Sequence, residues 1–297
     1  MYINDLPDIV QSSTKLFADD TKLYSRVGTA NNEGCEAIQD DLKSLQTWSR
    51  TWLLQFNASQ CKCMPMGSDN PLTSYILNDE EIQPVKEEKD LGVYTANNCK
   101  PSLQCTKSAA KAMTSLRIIK RTFNHIDAES FAILYKAYIR PHLEYCVQAW
   151  CPYQKQDIKT LEKVQRRATK LVPQLRKRPY NERMKELKLY PLEVRRIRGD
   201  LIETFKILKG LEDIDPNQLF TRATNTIFTR GHKYKLFKKR LEKGLNLRKY
   251  FFSQRVIDNW NNLPANVIEA KSINQFKNRF DKHVKQSGYG ILKGISL

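Results

Sequence analysis

Pro101 divides this chain into two kinds of sequence. Before it, apolar residues come in short runs broken by turn residues; after it, they recur at three-four spacing over long stretches. The second pattern predicts helices over 102–123, 127–149, 155–172, 181–189 and 191–209, separated by Asn124-His125, Pro152, Pro173 to Pro179 and Pro191. Asp127 reads as an N-cap with Glu129 in its first turn, and Pro141 should kink or split its helix. Beyond Gly210 the pattern loosens through Pro216 and the Thr-rich stretch Thr221 to Thr229. It turns helical again at 250–260 and 272–284.

Ahead of Pro101, residues 33–55 predict one amphipathic helix. Ile38, Leu42, Leu45, Trp48, Trp52 and Leu53 follow its spacing, and Glu33, Glu36, Asp40 and Asp41 enrich its N-terminal half in negative charge. Trp48 and Trp52 are expected as core anchors. Residues 59–66 and 72–95 read as short strands broken by Gly67, Asp69-Asn70-Pro71 and Asn78-Asp79, and Gly92 suggests a tight bend. The expectation is an α+β chain in three parts: 1–95, 96–210 and 211–297.

Charge follows the same division. The net charge is +18, yet residues 1–100 hold 9 Lys+Arg against 15 Asp+Glu, a net −6, leaving +24 for the remainder. An acidic part joined to a basic one suggests a metal-binding or catalytic segment beside one that holds a polyanion, with nucleic acid the first candidate. The alternative is a set of solvated lysines on helix surfaces. No window approaches the 18 or more apolar residues of a membrane span, and no basic helix has the Trp/Leu face of a membrane-surface segment. The first residues lack the basic and apolar regions of a signal peptide. Seven scattered cysteines suit a reducing compartment, so an intracellular protein of nucleus or cytoplasm is expected. Cys61 and Cys63 are half of a metal-ligand pattern with no second pair, so zinc is not expected.

The chemistry concentrates in Phe17-Ala18-Asp19-Asp20. Apolar runs ending in Leu16-Phe17-Ala18 and resuming at Leu23-Tyr24 predict a strand, an acidic two-residue turn and a returning strand. Both carboxylates then crowd one tip. Hard oxygen ligands at that density suit Mg²⁺, which takes one or two protein carboxylates and keeps waters and substrate phosphates elsewhere. The ordinary alternative is a polar turn, where Asp is common.

Tyr2-Ile3-Asn4-Asp5-Leu6-Pro7 and Leu16-Phe17-Ala18-Asp19-Asp20-Thr21-Lys22-Leu23-Tyr24 resemble the catalytic hairpin of reverse transcriptases of jockey-like non-LTR (LINE) retrotransposons. Trp48, Trp52, Leu53, Asn57 and Lys62 are similar to the next motif, and Leu91-Gly92-Val93 to the strand that grips the primer. The resemblance continues through Tyr135 to Cys146, Trp150, Leu161 to Ala168, Phe252 to Val256, Trp260 to Pro264 and Phe276-Lys277. It implies a partial polymerase palm at 1–95, a helical thumb-like and basic region at 96–210, and a C-terminal extension. It further implies catalytic Asp19, Asp20 and Lys62, with Mg²⁺ (or Mn²⁺ in its place) on Asp19 and Asp20. Leu91 and Gly92 would shape the primer grip. The partners implied are an RNA template and a DNA primer, with Arg166, Arg167, Arg176 and Arg178 on nucleic acid and no membrane. In that family the fingers and an earlier strand bearing another metal-binding Asp precede the segment matching Tyr2 to Pro7. The expectation is therefore a fragment of an RNA-directed DNA polymerase, inactive alone, or else a non-catalytic RNA/DNA-binding remnant.

Overall fold

The structure, a computed structural model, describes residues 4–28, 33–67, 70–223, 232–240 and 247–294. Tyr2, Ile3, Asp69, Thr224, Thr226 and Thr229, singled out above, lie outside the described residues. The chain is mixed α+β, mostly helical with short hairpins, and divides into two compact units, 1–99 and 100–297.

In the first unit, strands β1 (Ser13–Phe17) and β2 (Asp20–Tyr24) pair antiparallel, with Ser13 opposite Tyr24 and Phe17 opposite Asp20. That register puts Leu16 and Leu23 on the inner face, where both pack against the unit's core. Helix α1 (Glu33–Trp52) supplies Leu42, Leu45 and Trp48 to the same core, which Leu6, Tyr75, Leu77 and Ile82 complete. Trp48 is an anchor as expected, whereas Trp52 is 43% exposed because the helix ends at it. The stop is a left-handed residue, Leu53 at φ +55°, closed by a hydrogen bond from Leu54 N–H to the Ser49 carbonyl at 3.0 Å. Gly34 is required where it stands: a Cβ there would lie 2.2 Å from the Arg26 carbonyl oxygen.

The remaining strands of this unit are short. β3 (Lys62–Cys63) runs parallel to β6 (Gln83–Pro84), and β4 (Ile76–Leu77) forms a hairpin with β5 (Glu80–Glu81). β7 (Glu87–Asp90) and β8 (Val93–Ala96) form the last hairpin. Both two-residue turns have two central residues with positive φ: Asn78 and Asp79 (+51° and +63°), then Leu91 and Gly92 (+43° and +84°). This is the I′ pattern, whose twist matches paired strands.

The second unit is helical: α2 (Ser102–Thr122), α3 (Ala128–Leu134), α4 (Arg140–Glu144), α5 (Val147–Trp150), α6 (Lys155–Ala168), α7 (Tyr180–Glu186) and α8 (Leu192–Leu208). Asp127 caps α3, accepting from Ser130 N–H at 2.7 Å, which holds its carboxyl below the usual carboxylate range. The segment expected at 127–149 is split: a π-helical turn at Tyr135–Ile139 leads into α4, whose first turn takes Pro141, and left-handed Cys146 (φ +51°) separates α4 from α5. After α9 (Pro216–Leu219), strand β9 (Thr221–Arg222) pairs with β10 (Leu236–Phe237). Helices α10 (Phe252–Asn262), α11 (Ala265–Ile268) and α12 (Ile273–Ser287) follow.

A boundary at 210/211 falls inside one core. Leu201 and Phe205 of α8 pack with Trp260 of α10 and with Phe276 and Phe280 of α12; Phe205 and Phe276 stack at 4.5 Å. Arg198 of α8 grips Asp281 of α12 through two hydrogen bonds, at 2.7 and 2.9 Å. The segment from 211 onward looks like an extension in sequence because turn residues interrupt it, yet its apolar residues complete the α8 surface.

Candidate functional sites

The turn at the tip of β1 and β2 has Ala18 and Asp19 as its central residues, with positive φ only at Ala18 (+53°), the II′ pattern. This corrects the expected turn by one residue. Asp19 occupies the bend and Asp20 opens β2 opposite Phe17, while Leu16 and Leu23 share the inner face. Both carboxylates are exposed and neither forms an ion pair with a described residue. Phe17, across from Asp20 on the outer face, is 62% exposed.

Three contacts position this tip. Asp41, buried on α1, accepts from the backbone N–H groups of Gln11 and Ser12 at 2.7 and 2.9 Å, tethering the chain just ahead of β1. Leu16 and Leu23 seat the hairpin on the core. Lys22, two residues beyond Asp20 on the same outer face, pairs with Asp90 at the end of β7, beside Leu91 and Gly92. The hairpins expected to carry metal and primer grip are therefore linked by one ion pair. It is partly exposed, so it sets geometry more than stability. Lys62 is not brought into this arrangement. Its ammonium hydrogen-bonds back to the Ser59 carbonyl at 3.5 Å and forms no ion pair with Asp19 or Asp20.

Two adjacent carboxylates fit a Mg²⁺ ion that keeps most of its other ligands as water or phosphate. Among the described residues no group of three or more His, Cys, Asp or Glu gathers to hold a metal. Burial pushes the Cys61 and Cys63 thiols up, which keeps them protonated and poor as ligands.

The basic candidates lie in the second unit. Arg166 and Arg167 are exposed at the end of α6; Arg176 and Arg178 are exposed just after a 3₁₀ turn at Pro173–Leu175. The Arg166 guanidinium lies over the Tyr180 ring, 4.5 Å from its centroid. Behind this surface runs a buried polar network that sequence reasoning missed. Gln165, fully buried, donates to Tyr180 Oη at 3.0 Å and to the Tyr190 carbonyl at 3.1 Å, and accepts from the Tyr135 hydroxyl. Tyr180 in turn donates to Glu162 at 2.5 Å. Burial drives the Tyr135 and Tyr180 hydroxyls well above their ordinary range, so both remain donors. The signal was present: Gln165 interrupts the apolar face made by Leu161, Val164 and Ala168.

Comparison with known protein families, curated proteins and solved structures finds no match for this chain. No helix among the described residues is long and apolar enough to cross a membrane.

Proposed function

We propose that this chain derives from an RNA-directed DNA polymerase of a non-LTR retrotransposon, with residues 1–95 a palm remnant and the following helices thumb-like. The observation that carries this reading is the hairpin tip: a two-residue turn with Asp19 at its centre and Asp20 next to it, both free to meet a cation. The Lys22–Asp90 pair supports it by bringing the Leu91-Gly92 turn beside that hairpin. Asp19 and Asp20 would hold Mg²⁺, whose chemistry in such enzymes is to activate the primer 3′-hydroxyl and steady the triphosphate. The chain's own residues supply only one turn's worth of ligands, so it binds nucleic acid and divalent metal without extending a primer by itself.

The test is binding of Mn²⁺ to the purified chain, followed by the loss of its free-ion EPR signal, alongside primer extension on an RNA template. Expected are weak Mn²⁺ binding that Asp19→Asn and Asp20→Asn each reduce, and no extension. Mn²⁺ binding unchanged by both substitutions would remove the metal role. Extension abolished by Asp19→Asn would restore the chain as an enzyme. A second reading, a nucleic-acid-binding remnant without metal, is favoured by the exposed Arg166, Arg167, Arg176 and Arg178. It predicts duplex binding with no Mn²⁺ at the tip.

A further inference from the structure

Helix α6 divides its circumference cleanly. Asp157, Leu161, Val164, Gln165 and Ala168 are buried. Opposite them Lys155, Lys159, Lys163, Arg166 and Arg167 are exposed, and Lys170 extends the row into the 3₁₀ turn at Thr169–Leu171. At 100° per residue these six fall within about 120° of the helix circumference, a stripe rather than a ring. At 1.5 Å per residue it runs about 22 Å, with a cation roughly every 6 Å or less. Sixteen residues from Lys163 to Arg178 contain no Asp or Glu, and none of the stripe's cations forms an ion pair among the described residues.

We infer that this stripe is a docking rail for the sugar–phosphate backbone of a nucleic-acid duplex, read without regard to sequence. The inference rests on the nucleic-acid part of the proposed function and is independent of the Asp19–Asp20 tip. A duplex carries one phosphate charge per 1.7 Å or so of its axis, so a rail of about 22 Å with six cations meets a polyanion at least as dense as itself. Duplex is favoured over single strand because the row lacks an aromatic platform. The Tyr180 ring is covered by Arg166 and its hydroxyl is committed to Glu162 and Gln165, while Tyr153, just ahead of α6, is stacked on Tyr250 at 3.8 Å. A membrane surface is disfavoured because such a helix must free its apolar face, and here Leu161, Val164 and Ala168 are in the core. Gln165 and its partners hold the inner face, so the cations come pre-positioned. Arg176, Lys177 and Arg178 add a second cluster, held by the turn in which Arg178 N–H meets the Leu175 carbonyl at 3.0 Å.

The experiment follows a fluorescein-labelled 20-base-pair duplex by anisotropy with the full chain over a range of KCl. Replacing Lys155, Lys159, Lys163 and Lys170 together by Gln should weaken binding at least tenfold. It should also flatten the slope of log K against log salt by about 3.6, or roughly 0.9 per lost phosphate contact. The same four positions changed to Arg should restore both. Gln at Lys271, Lys277, Lys282 and Lys285, around and on α12, removes equal charge and should leave the slope within about one unit. Unchanged binding in the α6 variant, with its circular dichroism intact, would overturn the rail. So would an equal loss in the α12 variant, tighter binding to single-stranded DNA of the same length, or binding to phosphatidylserine vesicles instead of duplex. Failure of Mn²⁺ binding or of primer extension bears on the polymerase reading and leaves these slopes untouched.

Discussion

The two units keep their charges in different places. The helical unit buries an ion pair: Asp200 of α8 is 3% exposed and is held by Arg255 of α10 through hydrogen bonds of 2.8 and 2.9 Å. The same guanidinium reaches the carbonyls of Gln148 and Tyr250, both at 3.0 Å, so one side chain joins α5, α8 and α10. In the acidic unit Lys43–Asp40 stands in solvent and Lys22–Asp90 is partly exposed, while the buried carboxylate of Asp41 is satisfied by backbone instead. A core of seventeen described residues can fix an ionic crosslink; the eight-residue core under the hairpins leaves its ion pairs at the surface. The carboxylate tip thus sits over the smaller core, and the buried ion pair lies in the larger one.

The sharpest way to break this comparison is to cut the internal pair. Arg255→Met leaves the buried Asp200 carboxyl without its partner, at a cost of about 3–5 kcal/mol. Helical ellipticity followed in urea should show the midpoint of the helical unit falling, while hydrogen exchange at β1 and β2 stays as it was. A loss below about 1 kcal/mol would mean that the pair is a surface contact in disguise. The matching experiment in the acidic unit is Asp41→Ala. It orphans the Gln11 and Ser12 N–H groups and should cost about 1–3 kcal/mol, read as faster exchange of the β1 amides. If β1 exchange is unchanged, the leucine face alone holds the hairpin.

Some of this was legible in advance and some was not, for physical reasons. Asp127 and the strand–turn–strand around Asp19 follow from local chemistry, and the structure has them; at Pro141 it has a π-helical turn just ahead, with the break itself at Tyr145-Cys146. The turn lies one residue earlier than the acidic pair suggests, because Ala18 takes the left-handed position at φ +53° and Asp20 pairs with Phe17. Leu16 and Leu23 would share a face in either register, so the apolar pattern does not tell the two apart. Asp41 reads in sequence as part of the negative charge in the N-terminal half of α1, and nothing local reveals that Gln11 and Ser12 fold back onto it. The packing of α10 and α12 onto α8 was missed because the pairing of distant apolar faces leaves no mark in either segment. Gln165 lies within the Leu161 to Ala168 stretch, where a polar side chain on an apolar stripe asks for a partner.

The smallest expected effect has the opposite sign. Ala18 carries a side chain at φ +53°, where an L residue costs roughly 1–2 kcal/mol and glycine almost nothing. Glycine loses more freedom on folding, about 0.5–1 kcal/mol, so Ala18→Gly should stabilise the hairpin by only about 0.5 kcal/mol. Slower amide exchange in β1 and β2 would register it. The same substitution sharpens the contrast between the units, because it relaxes the bend that holds Asp19 without touching either carboxylate. If the tip is a metal ligand pair held by its turn, Mn²⁺ affinity should fall in Ala18→Gly even as the hairpin gains stability. If affinity rises or stays level while exchange slows, the left-handed alanine has no part in aiming the carboxylates.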